Sequence, residues 1–183
     1  MSKSAGIDGI VTEHLRHAHP ILILLLAKLF NIIIMFGYVP DAFGLGIIVP
    51  ILKPNKIVTK VESYRGIALT PVISKVFEQG LLKVLAPFLT TSPMQFGFKR
   101  KTGCAKAIYT VRRVVDFFTK KGSTVNLCAL DVEKAFDRLN MHALFIKLMQ
   151  RRCPLFFIKI IECWYSKSFG IVRWGGLILK NLF

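Results

Sequence analysis

Hydrophobic positions along this chain recur with two periods, one of about 3.6 residues and one of runs too short for a helix. Residues 10–19 predict a short helix. The apolar run from Ile21 to Phe36, opened by Pro20 and closed at Gly37, predicts a longer one. That run falls short of the roughly 20 residues a membrane span needs, and Lys28 and Asn31 interrupt it, so a buried helix is expected. Leu45–Leu52, rich in Ile and Val, predicts a buried strand. A polar loop with Lys53, Pro54, Asn55, Lys56 and Lys60 follows, and Tyr64–Thr70 predicts the returning strand. Pro71 then opens a helix with apolar positions Val72, Val76, Leu81 and Leu85, ending near Pro87.

The second half continues in the same manner. Thr102 is the expected N-cap of a helix whose stripe is Cys104, Ile108, Val111, Val115 and Phe118. Gly122-Ser123 ends it, and Thr124–Leu130 predicts a strand. A helix from about Met141 carries Leu144, Phe145, Leu148 and Met149 on one side. It breaks at Cys153-Pro154, and another helix runs to about Tyr165. Ser168–Trp174 predicts a strand that meets the turn signal Gly175-Gly176, where a hairpin would begin. Helix and strand signals are interspersed, which specifies an α+β fold.

Composition changes this picture in three ways. Apolar residues make up 53% of the 183, which excludes a disordered chain, and a mean hydropathy of +0.51 implies surface meant to be covered by something missing, by a partner or by lipid. Twenty-six Lys and Arg against ten Asp and Glu leave a net charge of +16, which is easiest to rationalise with a polyanionic partner, a membrane surface or simple accident being the other readings. The four cysteines form no C-x-x-C pair, excluding a disulfide framework or a zinc site and fitting a reducing compartment. Met1–Gly9 lacks the order of a secretory signal, so nucleus or cytoplasm is expected rather than secretion.

Of the ten acidic residues, Asp131, Glu133 and Asp137 lie close together after the apolar segment Val125–Leu130. A carboxylate ending a strand in so cationic a chain is a candidate Mg²⁺ ligand for phosphoryl transfer. The other reading is a solvated strand-to-helix corner whose acids cap the helix. The residues alone leave both open.

The segment Ala129-Leu130-Asp131-Val132-Glu133-Lys134-Ala135-Phe136-Asp137 resembles the first catalytic motif of reverse transcriptases, those of non-LTR (LINE-type) retrotransposons in particular. Other segments match the same family in its order. They are Lys3–Gly9, Gly37-x-Val39-Pro40, Ile48–Lys53, Ser63–Leu69 and Gln95-Phe96-Gly97-Phe98. Gly66, where the family often has proline, and Lys101–Cys104 depart from its pattern without removing a charged group.

The resemblance implies a partial right-hand polymerase, an antiparallel sheet packed by helices. Residues 1–100 would be mostly fingers and 101–176 the start of the palm, with 177–183 a tail unrelated to the family. It implies that Asp131 and the Val132 main-chain carbonyl bind catalytic Mg²⁺. Lys53 and Arg65 would hold the triphosphate of the incoming deoxynucleoside triphosphate. Phe136 would sit under its sugar and exclude a 2′-hydroxyl. Lys99, Arg100, Lys101, Lys106, Arg112 and Arg113 form a basic tract expected to contact the RNA template and DNA primer.

The family's remaining carboxylates come from an Asp-Asp motif, and this chain has no Asp-Asp pair. From Arg138 onward Glu162 is the one acid. Asp137, six residues beyond Asp131, would lie roughly 20 Å away along a strand or about 9 Å along a helix. The expectation is therefore a truncated RNA-directed DNA polymerase, inactive alone. The alternatives are a non-catalytic nucleic-acid-binding module and a basic membrane-associated protein using Ile21–Phe36. Glu13, His14, His17 and His19 read in the order E-H-x-x-H, not H-E-x-x-H, and are expected to be solvated or capping. Trp164, Tyr165 and Trp174 are expected in a core or interface.

Overall fold

A computed structural model describes residues 4–132, 135 and 138–179. They divide into two compact units, Met1–Phe88 with Leu144–Phe183, and Leu89–Ala143. The fold is α+β, as the sequence predicts.

In the first unit, α1 (Thr12–Arg16) and α2 (Ile21–Phe36) are both capped by histidine. His14 Nδ1 accepts from the Val11 N–H at 3.3 Å, and His19 Nδ1 accepts from the Ile21 N–H at 3.2 Å. Two of the three histidines of this group, His14 and His19, thus serve main-chain N–H groups at helix starts. α2 ends at Gly37, which takes the left-handed conformation (φ 62°) common to helix C-termini. This helix is not buried, contrary to its composition: only Ile33 is, while Ile23 and Met35 are 71% and 74% exposed. A single stripe through Leu29, Phe30, Ile33 and Ile34 meets the core, and much of the rest of this all-round apolar helix is left uncovered by the described residues. It is too short for a bilayer, and no helix of the described residues is long and apolar enough to cross one.

The core joins α2 to α4 (Val72–Leu85), α6 (Met141–Gln150) and α7 (Leu155–Ser166). Phe77, 2% exposed, is central; its ring meets Phe30, Phe43 and Trp164 at centroid distances of 5.1, 6.0 and 5.5 Å. The sequence-predicted stripe of α4 is corrected at one position, because Val76 faces solvent and Phe77 takes the inner place. On α6, Leu148 is buried and Met149 is exposed.

The turn from Gly37 to α3 (Asp41–Gly44) is fastened to the end of α7. Cys163 Sγ accepts from the Val39 N–H at 3.4 Å, and the Trp164 indole N–H donates to the Phe43 carbonyl at 3.2 Å. Lys167 Nζ donates to the Val39 carbonyl at 2.8 Å, pairs with Asp41 Oδ1 at 2.7 Å and lies over the Tyr38 ring. The hydrogen bond and charge of Lys167 hold the Asp41 carboxyl below its ordinary value. Desolvation pulls Lys167 down, but its bonds to Asp41 and Tyr38 outweigh that and raise it. A Cβ at Gly44 would run into the Lys167 carbonyl, so only glycine permits this approach.

The sheet has the order β2-β1-β3-β4, with β1 Leu45–Leu52, β2 Tyr64–Leu69, β3 Phe169–Trp174 and β4 Leu177–Leu179. A single 3₁₀ turn, Val61–Ser63, precedes β2. The expected antiparallel sheet is corrected in one pairing: β1 and β3 run parallel, while β1–β2 and β3–β4 are antiparallel. The helices between β1 and β3 supply the long crossover that a parallel pair requires. The hairpin at Gly175-Gly176 does close, and Leu177–Leu179 belongs to the sheet.

Register sorts the side chains onto two faces. Ile48, Pro50, Leu52, Tyr64, Val172 and Trp174 share one face; Ile51, Arg65, Ile67, Ile171 and Arg173 share the other. The Tyr64–Trp174 ring contact (centroids 4.7 Å apart) joins two residues of the first face across β1. A Cβ on Gly66 or Gly170 would press on the Ile48 side chain, as that face demands.

The second unit contains α5 (Cys104–Thr119), which starts at Gly103. Thr102 is not its N-cap: the Thr102 hydroxyl donates to the Lys99 carbonyl at 3.2 Å instead. The helical spacing holds, but Ile108, Val111 and Phe118 of its stripe are exposed. Thr124–Leu130 is not a strand. A strand is stabilised by a ladder, and the described residues of this unit offer no partner strand. Leu130 is accordingly 93% exposed. Asn140 caps α6 by accepting from the Ala143 N–H at 3.0 Å.

Candidate nucleotide and nucleic-acid site

Lys53 follows β1 directly, and its N–H donates to the Ser63 carbonyl at 2.8 Å, continuing the β1–β2 ladder by one pair. Alternation therefore puts Lys53 on the face of Ile51 and Arg65. Its Nζ donates to the Glu62 carbonyl at 2.8 Å, which holds the half-buried side chain against the hairpin loop and leaves further N–H donors. Arg65 stands opposite Ile51, exposed. The two cations predicted to share a triphosphate are thus brought to one side of one hairpin. Between them the loop carries exposed Ile57, Val58 and Val61, and the Tyr64 hydroxyl donates to the Val58 carbonyl at 2.9 Å to close its base.

Asp131 and Val132 lie in the second unit, both exposed, directly after the Thr124–Leu130 segment that the sequence assigns to a strand and the structure leaves unpaired. Phe136 lies outside the described residues, as do Glu133 and Asp137. In the basic tract, Lys99 is half-buried and donates from Nζ to the Ser92 carbonyl at 2.7 Å. Lys101 adopts a left-handed backbone (φ 59°) in the turn before α5. Arg100 and Lys101, with Lys106, Arg112 and Arg113 on α5, are exposed. No carboxylate among the described residues pairs with any of these cations; the one ion pair among them is Lys167–Asp41.

The acid–histidine–cysteine groupings of the described residues give no set of three that could hold a metal. Asp131 with the Val132 carbonyl is one carboxylate where a two-metal centre needs several, so these residues do not by themselves fit such a centre. An open apolar groove of about 520 Å³ between α1, α2 and Val76 contains none of the predicted site residues.

A cationic hairpin and a basic tract on an α+β frame are features suited to phosphate-rich ligands. Residues 51–179 match the family model of reverse transcriptase (RNA-dependent DNA polymerase), and the chain belongs to that family. It is 31% identical over 180 residues to the RNA-directed DNA polymerase from mobile element jockey of Drosophila funebris, covering 94% of this chain and 19% of the relative. It is 32% identical over 154 residues to the probable RNA-directed DNA polymerase from transposon X-element of Drosophila melanogaster, covering 81% of this chain and 17% of the relative. The retrovirus-related Pol polyprotein from type-2 retrotransposable element R2DM of the same species is 28% identical over 91% of this chain and 15% of its own length. The chain thus spans less than a fifth of the length of these relatives. The family is divalent-metal dependent and acts on a nucleic-acid template and primer.

The sequence reading passed over Arg173. Its signal is the alternation of β3, which becomes informative only once the parallel register with β1 is known.

Proposed function

We propose that this chain forms the fingers and the opening of the palm of a non-LTR retrotransposon reverse transcriptase. Its cationic hairpin binds the incoming deoxynucleoside triphosphate, and its basic tract carries RNA template and DNA primer. The observation that carries this reading is the placement of Lys53 and Arg65 on one face of the β1–β2 hairpin, inside the stretch that matches the family. Arg65 offers a planar fork to phosphate oxygens, and Lys53 a point charge with two N–H donors still available beyond its bond to Glu62. By the family resemblance, Phe136 is assigned to the sugar of the same nucleotide. Asp131 is the carboxylate the chain contributes to a Mg²⁺ centre, whose other carboxylates must come from further sequence.

Primer extension tests it. The purified chain alone, with Mg²⁺, primer–template and deoxynucleotides, incorporates nothing. Mixed with the later palm and thumb of a jockey-type relative, it supports synthesis, and Asp131→Ala abolishes that synthesis. Incorporation by the chain alone, or indifference of the mixture to Asp131→Ala, would refute the assignment. The net charge of +16, together with the lone described carboxylate at the site, favours one second reading, a nucleic-acid-binding module without catalysis. Salt-sensitive binding unchanged by Asp131→Ala, with no synthesis in the mixture, selects it.

A further inference from the structure

The sheet is chemically two-sided at its fingertip end. One face gathers Leu52, Tyr64 and Trp174, with the two rings in contact at 4.7 Å. The opposite face gathers Lys53 and Arg65 and, one strand beyond β1, Arg173. Arg173 is paired with Ile178 of β4 and is exposed, and no carboxylate among the described residues engages it. Continuing the parallel register by one residue sets Arg173 level with Val49, while Arg65 is level with Ile51. Two interstrand spacings and a two-residue stagger separate their Cα atoms by roughly 12 Å. Exposed Ile51 and Ile67 lie on the floor between them.

We infer that Arg173 is a phosphate-contacting residue for a single-stranded nucleic-acid segment lying across β2, β1 and β3 on this face. The inference rests on the proposed function and names one more residue of its binding surface. Lys53 and Arg65, two pairs apart and on the same face of one hairpin, suffice for a compact triphosphate. A third cation one strand farther away suits a longer run of phosphates, and the aliphatic floor suits the sugars and bases between them. The register presents Arg173 on the same face as Lys53 and Arg65, and no carboxylate among the described residues forms an ion pair with any of the three.

The test is fluorescence anisotropy with the full chain over a range of salt, using a single-stranded RNA oligonucleotide and, separately, inorganic tripolyphosphate. Arg173→Gln and Arg65→Gln are compared with Lys83→Gln, an exposed cation of α4 outside the site. Arg173→Gln should lower the slope of log affinity against log salt for RNA by about 1 relative to Lys83→Gln. It should leave tripolyphosphate binding unchanged, whereas Arg65→Gln weakens both. An RNA slope for Arg173→Gln equal to that of Lys83→Gln overturns the inference and leaves the proposed function standing. Equal weakening of RNA and tripolyphosphate by Arg173→Gln overturns the choice of a strand as the ligand. Failure of the unaltered chain to bind RNA at all overturns both readings.

Discussion

α4 and α5 are two helices of similar length and similar amphipathic pattern, and they end in different environments. Each belongs to a different unit. Around α4, residues 4–88 and 144–179 hold every buried side chain among the described residues, with Phe77 at the centre of a ring of aromatics. Around α5, residues 89–143 hold none, although Ile108, Val111 and Phe118 are spaced for a core. The contrast teaches that periodicity specifies which face wants cover, not whether cover exists. An amphipathic stripe is stabilised by what it packs on.

The sharpest way to break this comparison is truncation on each side of it. Phe77→Ala should cost about 3–5 kcal/mol, whereas Phe118→Ala should change stability by no more than about 0.5 kcal/mol. Urea denaturation measures both, and comparable losses would mean that α5 is covered in solution.

Hydrogen exchange sharpens it further. Amides of α4 and α7 should exchange only through global opening, while Thr124–Val132 should exchange at close to unfolded rates. Protection across Thr124–Val132 would reveal a ladder partner and restore the predicted strand.

The smallest effect concerns pH. Asp41 titrates below its ordinary value of 3.8 in the folded chain. Its contribution is complete above that value and vanishes as acid carries the pH down through the folded one. Lys167 titrates above its ordinary value of 10.5, so its contribution is complete below that and vanishes as alkali passes the folded value. Asp41→Asn should therefore lower the melting temperature slightly between these limits and flatten both ends of the profile. Asp41 is highly exposed, so added salt should shrink the difference. An Asp41→Asn profile parallel to the original would show that the pair is not what titrates.

Much of the fold was legible in order of elements. Pro20, Gly37, Pro71 and Gly122 punctuate it where expected, and the β1–β2 hairpin follows from its Ile- and Val-rich runs. What could not be read is whatever depends on distant neighbours. The bare side of α2, the unpaired Thr124–Leu130 and the outward Val76 are all decided by which surfaces meet. The same holds for the candidate site. Lys53 and Arg65 were singled out by the family motifs that contain them, and their shared face follows from the register of one hairpin. Arg173 was not, since its face is defined by a strand more than a hundred residues earlier in the chain.

The parallel contact of β1 with β3 also governs how the chain can come together. Leu45 must find Phe169, and loop closure over that distance is slow compared with forming the neighbouring β1–β2 hairpin. During synthesis the hairpin emerges first, and its Ile-rich inner edge waits with open main-chain groups until Phe169–Trp174 leaves the ribosome. That interval is when the nascent chain is most exposed to mispairing with its own kind, and chaperones would have most to do.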